Sequence, residues 1–311
     1  MNRRPMKHRS VKHRTRDDRR GSSDLPRERD EQTPLRVNFT KMHGLGNDFM
    51  VIDQISHPVA LTPAQIRQLG DRHRGVGFDQ LLIIAPPTRP DADFSYRIFN
   101  ADGSEVEHCG NGARCFARYV LARGLTGRSP IRVQTQNRLL ELHADDHAQV
   151  SVDMGEPDFA PASLPFRADS PRPSYQLAAG QHGMTEFQAV SMGNPHIVLT
   201  VADPDAAPVQ TLGPVLCTHD AFPQGVNVGF MQIVDRDTIR LRVFERGAGE
   251  TEACGTGACA AVVCGIQAGR LNNRVRAQLT GGELIIEWAG DGKPVIMTGP
   301  ATTVFEGTVL I

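Results

Sequence analysis

"FNADGSEVEHCGNGARCFARYV", residues 99–120, returns 145 positions later as "FERGAGETEACGTGACAAVVCG", residues 244–265. Laid over each other without gaps, the segments align Phe99, Glu105, Glu107, Cys109, Gly110, Gly112 and Ala113 with Phe244, Glu250, Glu252, Cys254, Gly255, Gly257 and Ala258. Each follows a β-type run, "SYRIFN" or "IRLRVFE", crosses small and acidic residues, and opens a helical stretch at Cys-Gly-x-Gly-Ala.

The repetition extends beyond these loops. "LGNDFMVID" (45–53) matches "MGNPHIVLT" (192–200), and "GVGFDQLLI" (75–83) is paired more weakly with "GVNVGFMQI" (225–233). The three markers keep their order at separations of 147, 150 and 145 residues. Ordered recurrence predicts two related domains, residues 36–156 and 174–300, joined by the Pro-rich span 157–173 and packed about a pseudo-two-fold axis. Residues 301–311 are expected to pack back as a strand on one of the sheets. Helices are expected over "LTPAQIRQLGDRH", with Thr62 as N-cap and Pro63 behind it, over Gly112–Arg123, and over 256–268, which is apolar nearly all round.

A chain of 311 residues with 40% apolar and 22% charged residues suits two globular domains. No run reaches the roughly 18 apolar residues of a membrane span. Residues 1–35 are rich in Arg, Lys and Asp, lack an apolar secretory stretch, and are expected to be disordered. Nine of the first 20 residues are Lys or Arg, but the chain's formal net charge is −1, so no nucleic-acid partner is expected. The segment reads as a solvated tail or an overlong translation start. Six cysteines without an export signal are expected to be reduced thiols in the cytoplasm.

A cysteine at a helix N-terminus feels the positive end of the macrodipole and unpaired backbone N–H groups, which favour thiolate over thiol. The Cys109 and Cys254 pKa values are therefore expected below the usual value of about 8.5. The amides of Gly110–Asn111 and Gly255–Thr256 are placed to hold a carboxylate or phosphate. Two such loops related by pseudo-symmetry put one sulfur on each face of an interdomain ligand. One thiolate removes a proton and the opposite thiol returns one, which inverts a stereocentre, as a racemase or epimerase does. The helix ends stabilise charge developing on the α-carboxylate, and no cofactor is required.

The other four cysteines, Cys115, Cys217, Cys259 and Cys264, read as core. No metal is expected: Cys254, Cys259 and Cys264 stand five apart, which on a helix turns each by roughly 140° from the last. Asn47 and Asn194 follow the repeated glycines, and Gln80, Asn100 and Asn227 end strands near the loops. Their amides suit both ends of an amino acid, although each Asn is also a turn former. Arg246 suits a second carboxylate and Glu245 an ammonium. His43 and His196 lie beside the Gly-Asn turns, where a relay and a packed histidine are both open readings.

"KMHGLGNDF" (41–49), "GFDQ" (77–80), "FNADGSEVEHCGNGARC" (99–115), "GNPH" (193–196) and "ERGAGETEACGTGA" (245–258) together resemble diaminopimelate epimerases over about residues 36–308. The resemblance implies an α+β fold of two pseudo-symmetric domains, each a mostly antiparallel sheet wrapped around a central helix, with the active site in the interdomain cleft. It implies cofactor-independent interconversion of LL- and meso-diaminopimelate, on the route to lysine and peptidoglycan. Cys109 and Cys254 match the acid/base pair, and His196 and Glu245 match residues that assist catalysis. Asn47, Gln80, Asn100, Gly110, Asn111, Asn194, Asn227, Glu245, Arg246, Gly255 and Thr256 match substrate contacts, with Glu245–Arg246 serving the distal end. A homodimer is implied too, with Phe305 where relatives often carry a tyrosine at the dimer contact.

Overall fold

A computed structural model describes residues 34–106, 109–137, 139–145 and 149–311. The expected disordered tail, but for its last two residues, and Glu107 lie outside these. The β-type runs form the strands their alternation predicts. In the first half these are β1 (Arg36–Gly44), β2 (Asn47–Asp53), β3 (Gln80–Ala85), β4 (Phe94–Asn100), β5 (Glu105–Val106), β6 (Ile131–Gln134), β7 (Leu139–Ala144) and β8 (Gln149–Asp153). Helix α1 (Pro63–Gly70) follows β2, and α2 (Gly110–Ala122) follows β5. Thr62 caps α1 in a full capping box with Gln65, as its sequence predicts.

The second half repeats this order with β9 (Tyr175–Ala178), β10 (Met184–Ser191), β11 (Pro195–Thr200), β12 (Asn227–Asp235), β13 (Thr238–Glu245), β14 (Gly249–Thr251), β15 (Arg274–Leu279), β16 (Gly282–Trp288) and β17 (Val295–Pro300). Helix α3 (Val209–Cys217) follows β11 and α4 (Gly255–Gln267) follows β14. A last strand, β18 (Thr302–Leu310), pairs antiparallel with β1, as β9 does with β10.

The pairing pattern is the same in both halves. β1–β2 and β10–β11 are antiparallel, β2–β3 and β11–β12 parallel, β3–β4 and β12–β13 antiparallel, and β4–β6 and β13–β15 parallel. Antiparallel pairs complete each set, and β8 joins the equivalent strand β17 antiparallel, as a two-fold axis between them requires. Equivalent turns need the same backbone: Gly46 and Gly193 have φ of +90° and +88°, open to glycine at little cost. Arg97 binds Glu105 at 2.7 Å, and Arg242 binds Glu250 at 2.6 Å, so these repeated glutamates brace equivalent hairpins.

One sequence match is out of register. Gln80 pairs opposite Phe49 on β2, and Asn227 pairs opposite His196 on β11. Gln80 is thus equivalent to Asn227, three positions from the alignment of 75–83 on 225–233. A shared Gly-Val at the start of both segments drew the alignment off, whereas hydrogen bonding fixes the true register.

Each half wraps its sheet around one helix. In α4 only Thr256, Ile266 and Gln267 escape full burial, which Ala, Gly, Cys and Val at the other positions permit in a tight space. Apolar residues of α2 and α4, such as Phe116 and Val262, belong to one continuous core that also takes in β8 and β17. Burying each such side chain contributes about 1.5–3 kcal/mol. Within the span 157–173, Leu164 and Phe166 join the second half's outer core, where Phe166 stacks on Phe222 at 4.5 Å. None of the helices among the described residues is long and apolar enough to cross a membrane.

Candidate active site

The two cysteines arrive where the repeat predicts. Cys109 is the N-cap of α2 and Cys254 the N-cap of α4, both with extended backbone. A side-chain bond joins the halves here, for Asn111 Nδ2 donates to the Ala253 carbonyl at 3.2 Å. Met297 of β17 packs against the first residue of each helix, so closely that a Cβ on Gly110 would lie 2.7 Å from its Cε and one on Gly255 3.0 Å from its Sδ. The first turns of the two helices are thereby brought together across the halves.

Both thiols are harder to ionise here than an exposed cysteine. Burial pushes the Cys109 thiol up, against the pull of the Gly112 and Asn111 amides. Cys254 lies well above the ordinary cysteine value through burial first and the Glu245 carboxylate second. Its sulfur donates to Glu245 Oε2 at 2.9 Å and accepts from the Gly257 amide at 3.3 Å. The expectation of lowered thiol pKa values is corrected here: loss of water disfavours the thiolate by more than a helix terminus favours it. Glu245 also raises Cys109, so one carboxylate acts on both thiols.

The side chains of Glu245 and Arg246 take different partners. Glu245 sits on the Cys254 thiol and accepts from Thr251 Oγ1, whereas the exposed Arg246 side chain donates to the Gln224 carbonyl at 2.8 Å. The Arg246 amide donates to Asn227 Oδ1 at 2.9 Å, and Asn227 Nδ2 to the Pro195 carbonyl at 3.1 Å. Asn194 lies between His196, at 2.9 Å, and Thr256, at 3.4 Å, and the Thr256 hydroxyl is 3.7 Å from the Cys254 sulfur. His196 is buried and held neutral, its pKa pulled down to about 3 by burial and by Arg246. Its bond is to Asn194 and not to a thiol.

On the other side Asn47 Oδ1 accepts from the Cys109 thiol at 3.7 Å and from Asn111 Nδ2 at 3.2 Å. Gln80 donates to Asn100 across β3–β4 at 3.1 Å. His43 accepts from the Gly46 amide at 3.2 Å, a turn contact. Cys115, Cys217, Cys259 and Cys264 are buried in the core as expected, with Cys115 and Cys259 pushed up to about 12. The sequence reading missed Asp79, on which Asn47 rests, and Arg114, fully buried on α2 with its Nε donating to the Pro300 carbonyl at 3.1 Å. Arg114 stands where the second copy has Cys259, so the repeat gave no signal for it. A cavity of about 750 Å³ beside α1 is lined by Gln54, Leu61, Ile66, Phe99 and Glu105, away from both cysteines.

Comparison with known proteins decides the family. The model of the family "Diaminopimelate epimerase" matches residues 39–160 and 188–304, one segment in each half. The chain belongs to the diaminopimelate epimerase family. It is 58% identical over 276 residues to the diaminopimelate epimerase of Ectopseudomonas mendocina, covering 88% of this chain and 99% of that one. The same identity holds over 275 residues with the diaminopimelate epimerase of Chromobacterium violaceum, at the same coverage. Among solved structures, a hydroxyproline epimerase from Agrobacterium vitis superposes with a TM-score of 0.67 at 16% identity, covering 89% of this chain and 93% of that one. At that identity the likeness is one of fold alone.

Proposed function

We propose that this chain is a cofactor-independent diaminopimelate epimerase, which interconverts the LL and meso forms by moving one α-proton between two cysteines. The observation that carries the reading is the pair Cys109 and Cys254, each capping a helix and both under the influence of Glu245. One sulfur takes the α-proton as the C–H electron pair moves toward the α-carboxylate. The other sulfur gives its proton to the opposite face, and the enzyme is left with the protonation of the two cysteines exchanged. First-turn amides of α2 and α4, at Gly110, Asn111, Gly255 and Thr256, meet the charge that grows on the carboxylate.

The raised thiol pKa values support a division of labour. Cys254, bonded to Glu245, is kept protonated and ready to donate, and a substrate ammonium arriving nearby offsets the carboxylate and eases ionisation. Asn47, Gln80, Asn100, Asn194, Asn227 and Arg246 are the side chains that bind the substrate, with His196 fixing Asn194. The reduced state that both thiols need suits the cytoplasm. The chain acts as a homodimer, for which β18 offers an edge with Val304, Phe305 and Leu310 exposed. Neither nucleic acid nor membrane is a partner.

In deuterated water the enzyme should place deuterium on the inverted α-carbon of diaminopimelate and leave proline untouched. Turnover of proline alone would favour a proline or hydroxyproline racemase of the same architecture. Binding without exchange, indifferent to thiol alkylation, would instead mark a non-catalytic anion-binding protein.

A further inference from the structure

Asn47 and Asn194 follow equivalent turns, yet their amides are turned opposite ways. Asn47 Nδ2 donates to Asp79 Oδ2 at 3.0 Å. A carboxylate only accepts, so this bond leaves the Asn47 oxygen to face Cys109 and Asn111. In the second half the oxygen of Asn194 is bonded to His196 Nε2, and its Nδ2 points at Thr256. One half presents an acceptor to its helix end and the other a donor.

Asp79 is itself held. Arg72 bridges Asp79 at 2.7 Å and Asp48 at 2.7 and 2.9 Å. The buried Lys41 lies 2.6 Å from Asp48, and the backbone amides of Asp48 and Asp79 each donate to the other's carboxylate at 3.1 and 2.8 Å. Nothing equivalent exists in the second half, where the positions 147 residues beyond Lys41, Asp48, Arg72 and Asp79 hold Gln188, Pro195, His219 and Val226.

We propose that Asp79 is a positioning residue for epimerisation, which fixes the Asn47 amide so that an oxygen and not an N–H faces Cys109. The proposal rests on the two-thiol reading above. An oxygen there accepts from the thiol and opposes its ionisation, and it is also the acceptor that an amino-acid ammonium seeks. When the ammonium takes that oxygen the thiol loses its partner, so substrate binding and thiol ionisation are coupled at Asn47. An N–H in the same place would stabilise the thiolate before substrate arrives and repel the ammonium. The other ionisable groups acting on Cys109 are Glu245 at the end of β13, Arg114 and Cys115 on α2, and Tyr96 on β4, whose hydroxyl donates to the Cys109 carbonyl at 3.2 Å.

The test is Asp79→Asn, which keeps the size and lets residue 79 offer an N–H to a turned Asn47. In the otherwise native chain kcat/KM for diaminopimelate is expected to fall about tenfold or more. The pH dependence of iodoacetamide alkylation is read for Cys109 in a Cys254→Ser background and for Cys254 in a Cys109→Ser background. Asp79→Asn should lower the Cys109 midpoint by about half to one pH unit, the worth of one hydrogen bond, and leave Cys254 where it was. Unchanged turnover, an unmoved Cys109 midpoint, or equal shifts at both thiols would overturn the proposal. A native chain that does not epimerise diaminopimelate would overturn the functional reading instead, and the alkylation midpoints are read independently of turnover.

Discussion

At the scale of single residues, the two cysteines are alike in backbone and unlike in company. Cys254 is bonded to a carboxylate, and Cys109 to an amide oxygen. Replacing either sulfur by a hydroxyl, Cys109→Ser or Cys254→Ser, should lower epimerisation by about 10²–10⁴-fold, measured as inversion of the α-centre. Glu245→Gln removes a negative charge beside Cys254, and a neighbouring negative charge disfavours the thiolate. The Cys254 pKa should therefore fall, visible as faster alkylation at a given pH in a Cys109→Ser background. His196 makes a different prediction. Its folded pKa of about 3 lies below the ordinary value of 6.5. Between those values the unfolded chain binds the extra proton, so stability rises with pH through that window and is lost as pH falls. His196→Gln should flatten the melting temperature between pH 6.5 and 4 relative to the native chain.

At the scale of elements, α4 shows what its small residues allow. A Cβ on Gly257 would sit 3.1 Å from the Cys254 sulfur and 3.1 Å from Val243 Cγ2. Gly257→Ala gains about 1 kcal/mol in helix propensity and loses about 1–3 kcal/mol to overpacking. Its melting temperature should move little while its turnover falls about tenfold through displacement of the sulfur. The same helix explains how much the sequence disclosed. Its start was legible because Cys-Gly-x-Gly-Ala occurs twice after a strand, and its burial because it is apolar on every side. The β3–β12 match was read three residues out of register because a short Gly-Val match cannot see hydrogen bonding. The thiol pKa direction was misread because burial is a property of the whole core and leaves no local mark. Asp79 and Arg114 escaped for a related reason: a repeat reveals what the halves share, and these residues are where they differ.

At the scale of the whole molecule, the strand edge formed by β18 matters most. β18 pairs with β1 on one side and exposes Val304, Phe305 and Leu310, with Phe305 set edge-on to Phe39 at 5.9 Å. For the proposed homodimer, Phe305→Glu should give monomers in sedimentation velocity without unfolding them, because the ring is about half exposed in the single chain. A variant that remains dimeric would place the subunit contact elsewhere. The halves themselves are tied by β8–β17 and by Asn111, so they are expected to unfold in one transition.

The strand that completes the first half comes from the far end of the chain, and this has a consequence for how the gene could be cut. Arg36 lies opposite Leu310 in the β1–β18 ladder, so these positions are neighbours. A short linker from residue 311 to residue 36, with new termini in the exposed stretch 169–173, would yield a circular permutant of unchanged topology. In that order each copy would be contiguous, β9 through β17 followed by β18 and β1 through β8. The native chain is then a tandem duplication read one strand out of phase, and the permutant, if it folds and turns over substrate, restores the frame in which its two copies match from their first strand to their last.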